Sequence, residues 1–180
     1  MNNFFSSDFH LGHVNILKYD TRPFKDIDHH DNVIIYNYNS IVNPGDNFYF
    51  LGDFCLKDIK YAEDCLQRLN GNKFFIKGNH DNHQFVKLCA KYGVYLGEQS
   101  KITIHGKDII LNHFAMRVWN RSHHNSWHLY GHSHGGLEGT PWGKSMDVGI
   151  NVHDYYPLSF DQIKSIMDKR DAKILEDHHR

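Results

Sequence analysis

Apolar residues along the chain fall into short blocks that end on polar residues, and these blocks alternate with segments of helical spacing. Phe4-Phe5-Ser6-Ser7, ending at Asp8, reads as a buried strand. Val33, Ile34, Ile35, Tyr38, Ile41 and Val42 line one face of a helix over Asp28 to Val42, stopped by Asn43-Pro44-Gly45. Phe48-Tyr49-Phe50-Leu51 is a strand ending at Gly52-Asp53. Asp58 to Leu69 is a second helix closed by Asn70-Gly71. Lys73 to Lys77 is a strand ending at Gly78-Asn79-His80-Asp81, and a third helix covers roughly Gln84 to Lys91. This rhythm predicts a largely parallel sheet covered by helices.

The second half is richer in strands. Lys101 to Ile104 and Lys107 to Leu111 flank His105-Gly106 as a hairpin. His128-Leu129-Tyr130 leads into Gly131-His132-Ser133-His134-Gly135, and Met146 to Gly149 is a further short strand. Ser159 with Gln162 is a capping-box signature opening a final helix, extended in this reading to Leu175, with Asp177 to Arg180 frayed beyond it. No repeat, low-complexity tract or linker divides residues 1–180, which predicts a single domain.

Composition narrows the function classes. Lys and Arg number 20 against 21 Asp and Glu, a formal net charge of −1, so there is no basic excess for tight binding to duplex nucleic acid. A mean hydropathy of −0.60 fits a soluble globular chain. No run is long enough for a membrane span, and Met1-Asn2-Asn3-Phe4-Phe5 lacks the basic and apolar regions of a signal peptide. The three cysteines, Cys55, Cys65 and Cys89, are widely spaced, which argues against a disulfide framework or a cysteine zinc site and for a reducing cytoplasm. The 16 histidines matter by position.

Five polar clusters each follow a predicted strand: Asp8-Phe9-His10, Gly52-Asp53, Gly78-Asn79-His80-Asp81, Asn112-His113 and Gly131-His132-Ser133-His134. Loops at the carboxyl ends of strands converge in open α/β sheets. Oxygen and imidazole donors together suit divalent metals such as Mn, Fe or Zn. Asp8 and His10, like His132 and His134, share a face if the segment stays extended. Asp53 is placed to bridge two metals, since the preceding Gly52 permits close backbone approach. Paired metals are a general solution for phosphoryl displacement, and His80, with Asp81 beside it to orient the ring, is the proton donor to the leaving group.

The ordered set D-x-H, G-D, G-N-H-D, H and G-H-x-H resembles the calcineurin-like metallophosphoesterase superfamily, over Asp8 to His134. The Leu11-Gly12-His13 extension, with Asn15 and Arg22-Pro23-Phe24, resembles its small bacterial and phage branch. The resemblance implies an α/β fold in four layers, two mixed β-sheets sandwiched between helices, with a dinuclear centre at the sheet edge. It implies Asp8, His10 and His134 as ligands of the first metal, Asn79, His113 and His132 as ligands of the second, and Asp53 as the bridge. His80 would assist the leaving group. Phe54-Cys55-Leu56-Lys57 follows Gly52-Asp53, so the arginine with which many phosphoprotein phosphatases of this superfamily grip phosphate is missing.

The expected function is therefore hydrolysis of a phosphodiester, or a phosphomonoester, by metal-bridging hydroxide, with two divalent ions, Mn first and Fe, Ni or Zn as substitutes. The rivals are a small-molecule phosphomonoesterase and a metal-stabilised scaffold that has lost turnover. The substrate is a small-molecule or nucleotide-type phosphate ester. His13, Arg22 and Arg117 are candidates to hold it. Phe114, Trp119, Trp127 and Trp142 are candidates to stack on an aromatic group.

Overall fold

The strands β1 (Asn3–Ser6), β2 (Asn47–Leu51) and β3 (Asn72–Ile76) are apolar at consecutive positions because both faces of their sheet are covered. The computed structural model describes residues 1–137 and 143–171. These three strands and β4 (Gly93–Gly97) run parallel in the order β4-β3-β2-β1, and β9 (Leu158–Ser159) joins antiparallel beside β1. Side chains alternate across the sheet. Phe4, Phe48, Phe50 and Phe75 enter one core with Ile34, Ile35 and Tyr38 of helix α2 (Ile27–Ile41), Leu66 of α3 (Ile59–Arg68) and Phe85 of α4 (His83–Tyr92). Phe5, Tyr49, Leu51 and Ile76 enter a second core against the other sheet. Each such side chain, fully buried, contributes about 1.5–3 kcal/mol.

The other sheet has the order β5-β6-β7-β8, formed by β5 (Gln99–Ile104), β6 (Lys107–Asn112), β7 (Trp127–Tyr130) and β8 (Ser145–Asp147). β5 and β6 form the predicted hairpin through His105-Gly106, while β6, β7 and β8 are parallel. Ile109, Leu111, Trp127 and Leu129 supply its half of the second core, joined by Ile163 and Met167 of α5 (Phe160–Met167). The result is the expected α/β architecture, two mixed sheets flanked by helices. A parallel bridge between Ser7 and Gly149 joins the sheets, with Ser7 N–H on the Val148 carbonyl (3.2 Å) and Ile150 N–H on the Ser7 carbonyl (3.0 Å). That seam sets the carboxyl ends of β1 and β8 side by side.

Helix starts follow local chemistry. Asp26, Asp58, Asn82 and Ser159 each accept a main-chain N–H three residues on, and Ser159 with Gln162 completes the capping box. Several elements differ from the sequence expectation. β4 joins the first sheet as an edge strand, and α5 stops at Met167, short of Leu175, which with the 177–180 end lies outside the described residues. A short helix, α1 (Ile16–Tyr19), adds one turn after the first motif. Among the described residues no helix is long and apolar enough to cross a membrane.

One buried polar side chain gives the fold a pH dependence. His128, inside β7, donates from Nδ1 to the Ile110 carbonyl (3.1 Å) and accepts the Met116 N–H at Nε2 (3.1 Å), so the ring is neutral. Burial pushes its pKa down to about 4. In the unfolded chain the imidazole takes up a proton near pH 6.5, whereas the folded protein does so only near 4. Stability should therefore fall as pH drops through that window, by up to about 3 kcal/mol from this residue. Urea unfolding at pH 7 and pH 4.5 should show a larger loss for wild type than for His128→Gln. Equal losses would contradict the assignment.

Candidate metal centre

Five loops leave the carboxyl ends of β1, β2, β3, β6 and β7, and each carries one of the polar clusters to the same sheet edge. The loops turn sharply where they deliver their side chains. Asp8 (φ 58°), His10 (52°), Asp53 (60°), His132 (63°) and His134 (48°) all have left-handed backbone. This corrects the expectation of extended segments: the i, i+2 pairs converge through successive tight turns. Such conformations cost roughly 1–2 kcal/mol each for residues other than glycine, and they persist where surrounding bonds fix them. Here the Asp8 N–H donates to the Gly52 carbonyl (3.0 Å) and the His10 N–H to the Asp53 carbonyl (3.0 Å), tying the first two loops together.

Two donor groups result. Asp8, His10 and His134 form one, and Asp53, His113 and His132 the other, with ligand atoms inside each group within 4.8 Å of one another. In the first, Asp8 Oδ2 is satisfied by the Ser7 hydroxyl (2.6 Å) and the His132 N–H (3.0 Å). Asp8 Oδ1 is buried with no hydrogen-bond partner and lies 3.6 Å from His134 Nε2 and 3.8 Å from His10 Nε2. The two Nε2 atoms are 3.2 Å apart. Gly131 makes this cradle possible, because a Cβ there would overlap the Ser7 hydroxyl and the Asp8 carboxylate.

In the second group, His113 Nδ1 donates to the Leu51 carbonyl (2.7 Å), which turns Nε2 toward Asn79 Oδ1 (2.9 Å) and Asp53 Oδ2 (3.3 Å). Three acceptors therefore face one another. Asp53 links the groups: Oδ1 accepts the His80 N–H (2.9 Å), while Oδ2 lies between His113 Nε2 and His10 Nε2, the latter 3.9 Å away.

The electrostatics fit bound cations. Burial raises the Asp8 carboxyl to about 6 and lowers the His10 imidazole to about 2. Against burial, the Asp53 carboxylate beside His113 holds that imidazole above its usual value, and Asp20 does the same for His134. A divalent ion in each group would give the orphaned Asp8 Oδ1 and the facing lone pairs a common partner, and a neutral His10 is the form that ligates metal. The donor sets fit the divalent ions expected from the sequence.

The remaining candidates lie around this centre. His80 is exposed, its ring centroid 5.8 Å from that of His10. Half-buried His13 sits 5.7 Å from the same ring, with its Nδ1 buried and unpartnered. Asp81 departs from the orienting role expected of it. Its carboxylate accepts main-chain N–H groups of Gly78 (2.8 Å), Asp53 (2.9 Å) and Phe54 (3.3 Å), so it brackets the second and third loops instead of holding the His80 ring.

Arg22 is also corrected. Its side chain is fully buried, and its five N–H groups go to Asp20, the Asp8 and Phe9 carbonyls and His30, which leaves none for a substrate. Arg117 is exposed on the loop after β6. Trp119 and Trp127 are buried and so are not stacking surfaces, whereas Phe114 is 47% exposed with its ring 4.6 Å from that of His132; Trp142 lies outside the described residues. Asp20, which belongs to none of the five clusters, accepts from His134 Nδ1 (2.6 Å). Its only sequence signal is its place in the polar segment Asp20-Thr21-Arg22 just beyond the first motif.

No family model matches the chain. An uncharacterized protein of Methanocaldococcus jannaschii, MJ1445, is 34% identical over 170 residues, covering 91% of this chain and 89% of its own. The gene 66 protein of Mycobacterium phage L5 is 26% identical over 161 residues, covering 74% and 77% of the two chains. A protein of unknown function from Aquifex aeolicus, AQ665, shares the fold, with a TM-score of 0.74 at 24% identity over 92% of this chain and 98% of that one. Two phosphoesterases overlap more loosely. Yfce from E. coli has a TM-score of 0.45 at 14% identity (83% and 78% of the chains), and an archaeal phosphodiesterase 0.42 at 13% (73% and 72%). On the extent and identity of the first of these matches, the protein belongs to the family of M. jannaschii MJ1445.

Proposed function

We propose that the protein is a metal-dependent phosphoesterase that hydrolyses phosphodiesters at a dinuclear centre. The observation that carries this reading is the sharing of Asp53 between two donor groups, beside a buried Asp8 oxygen that has no partner. Asp8, His10 and His134 would hold one ion, Asn79, His113 and His132 the other, and Asp53 both. Divalent ions there would supply Lewis acidity, to polarise a phosphate oxygen and to lower the pKa of a water toward neutral.

The chain's own groups do the rest. The Asp81 bracket and the seam between the sheets fix the loops. His80 stands exposed at the mouth, within reach of a departing alkoxide, and donates its proton. His13 faces the same opening and contacts the phosphate. A diester, with a single negative charge, suits the site better than a dianionic monoester. Arg22 has no free N–H, and Lys57, in the segment where phosphoprotein phosphatases place their arginine, lies over the Tyr61 ring at 4.1 Å. The three free buried cysteines fit a reducing cytoplasm.

Chelation should abolish hydrolysis of aryl phosphodiesters, and Mn should restore it better than Mg, because imidazole donors disfavour hard Mg. A panel of aryl mono- and diesters, cyclic nucleotides and short oligonucleotides, run with Mn, Ni, Fe, Zn and Mg, tests the class. Full activity in excess chelator, with no metal found by elemental analysis, would overturn it. Higher activity on monoesters would reverse the choice of substrate.

A further inference from the structure

The first donor group draws on two loops far apart in the chain, Asp8-Phe9-His10 after β1 and His134 after β7, and one pair of side chains grips both. Asp20 Oδ2 accepts from His134 Nδ1 (2.6 Å) and from Nε and Nη2 of Arg22 (both 3.0 Å). Arg22 Nη2 also donates to the Asp8 carbonyl (2.9 Å), and Nη1 donates to the Phe9 carbonyl (3.1 Å) and to His30 Nε2 (2.8 Å). His30 is held in turn from the other side: its Nδ1 lies 2.6 Å from Asp31 Oδ1, and Asp31 Oδ2 accepts the Gly12 N–H (2.7 Å) and the Tyr61 hydroxyl (2.6 Å). This chain of bonds anchors the left-handed turn that carries Asp8 and His10, and the imidazole of His134, to α2 and α3. The second group is held differently, with His113 fixed by the main-chain carbonyl of Leu51.

We infer that Asp20, clamped by Arg22, is a positioning residue that sets the metal affinity of the Asp8–His10–His134 position and leaves the other position unaffected. The inference rests on the dinuclear reading above. A carboxylate on Nδ1–H fixes the tautomer of a ligating histidine, aims its Nε2 lone pair and raises its basicity, and loss of such a partner typically costs 10–100-fold in metal affinity. Because, of the ligands and the turns that carry them, Asp20 bonds His134 and Arg22 bonds the main chain of the Asp8–Phe9 turn, that loss should fall on one ion of the two.

The test is titration of metal-free wild type, Asp20→Ala and Asp20→Asn with Mn(II), followed by calorimetry and by electron paramagnetic resonance. Wild type should bind two ions and give the spectrum of a spin-coupled pair. Asp20→Ala should keep one site at wild-type affinity and bind the second ion about 10–100-fold more weakly, so that at limiting Mn the spectrum is that of an isolated ion. Asp20→Asn, which retains an oxygen to accept from His134 Nδ1, should fall between the two. Its melting temperature in excess chelator, compared with wild type, shows that the fold is intact, and it decides the matter if Asp20→Ala does not fold. Two sites of wild-type affinity in the Asp20 variants, or equal weakening of both sites, would overturn the inference while leaving the dinuclear centre standing. A wild type that binds fewer than two ions would instead overturn the dinuclear reading, and this inference with it.

Discussion

Asp53→Asn is expected to weaken both metal positions at once, which loss of a single histidine should not do. The substitution is nearly isosteric, and Asn tolerates the left-handed backbone that residue 53 adopts (φ 60°). The amide oxygen can still accept the His80 N–H that Asp53 Oδ1 accepts now. What disappears is the negative charge and the second oxygen, the one that lies between His113 Nε2 and His10 Nε2. Losing an outer partner of a ligand already costs about 10–100-fold in affinity, so loss of the shared ligand should cost more than that for each ion, and hydrolysis should fall to background. His132→Ala, by contrast, removes a donor from one group only and should leave the other ion in place. Metal analysis after desalting reads the difference. Wild-type metal content in Asp53→Asn would show that the bridge lies elsewhere.

His80→Ala should separate metal binding from chemistry. The His80 link to the centre is its main-chain N–H on Asp53, which alanine keeps, so metal content should stay near the wild-type value. Its exposed imidazole is the group removed, and kcat should fall by roughly 10²–10⁴, the usual contribution of a general acid. The loss should be greatest for esters of poorly acidic alcohols and least for nitrophenolate, which leaves without a proton. Loss of metal along with activity would make His80 a ligand. The same loss for every leaving group would make it a stabiliser of transition-state charge. Asp81 belongs to a different test: because its carboxylate accepts three main-chain N–H groups of two loops, Asp81→Ala should damage metal binding and stability without any dependence on the leaving group.

The parts of this architecture visible in the sequence are those set by short-range chemistry. Phe4-Phe5, Phe48 to Leu51 and Phe74 to Ile76 announce strands covered on both faces, and Ser159 with Gln162 announces a helix start. The gathering of five strand-end clusters follows from topology, since parallel strands put their carboxyl ends on one side. What stayed hidden depends on contacts between distant segments. Nothing in Asp8-Phe9-His10 indicates a left-handed turn, because the turn is held by the Gly52 and Asp53 carbonyls and by Arg22. Arg22 looks like a surface cation until its five hydrogen bonds are counted. Asp20 belongs to no motif and gains its meaning only from His134, 114 residues away. β4 gives little signal because Val94-Tyr95-Leu96 is a short run between two glycines, and its partner β3 lies across a helix.

The seam between the sheets also bears on when the two donor groups come into being. Each donor group takes residues from both sheets, and His134 lies 124 residues from His10. Loop closure over such a distance is late and entropically costly, so neither group exists until both sheets are built and docked. Ions that bind only the finished arrangement cannot act as a folding nucleus. On the proposed reading they would act on the way out, as a clasp across two sheets that must open before the chain can come apart. Their effect should therefore fall on the rate of unfolding, and on the lifetime of a loaded protein, more than on the rate at which it folds.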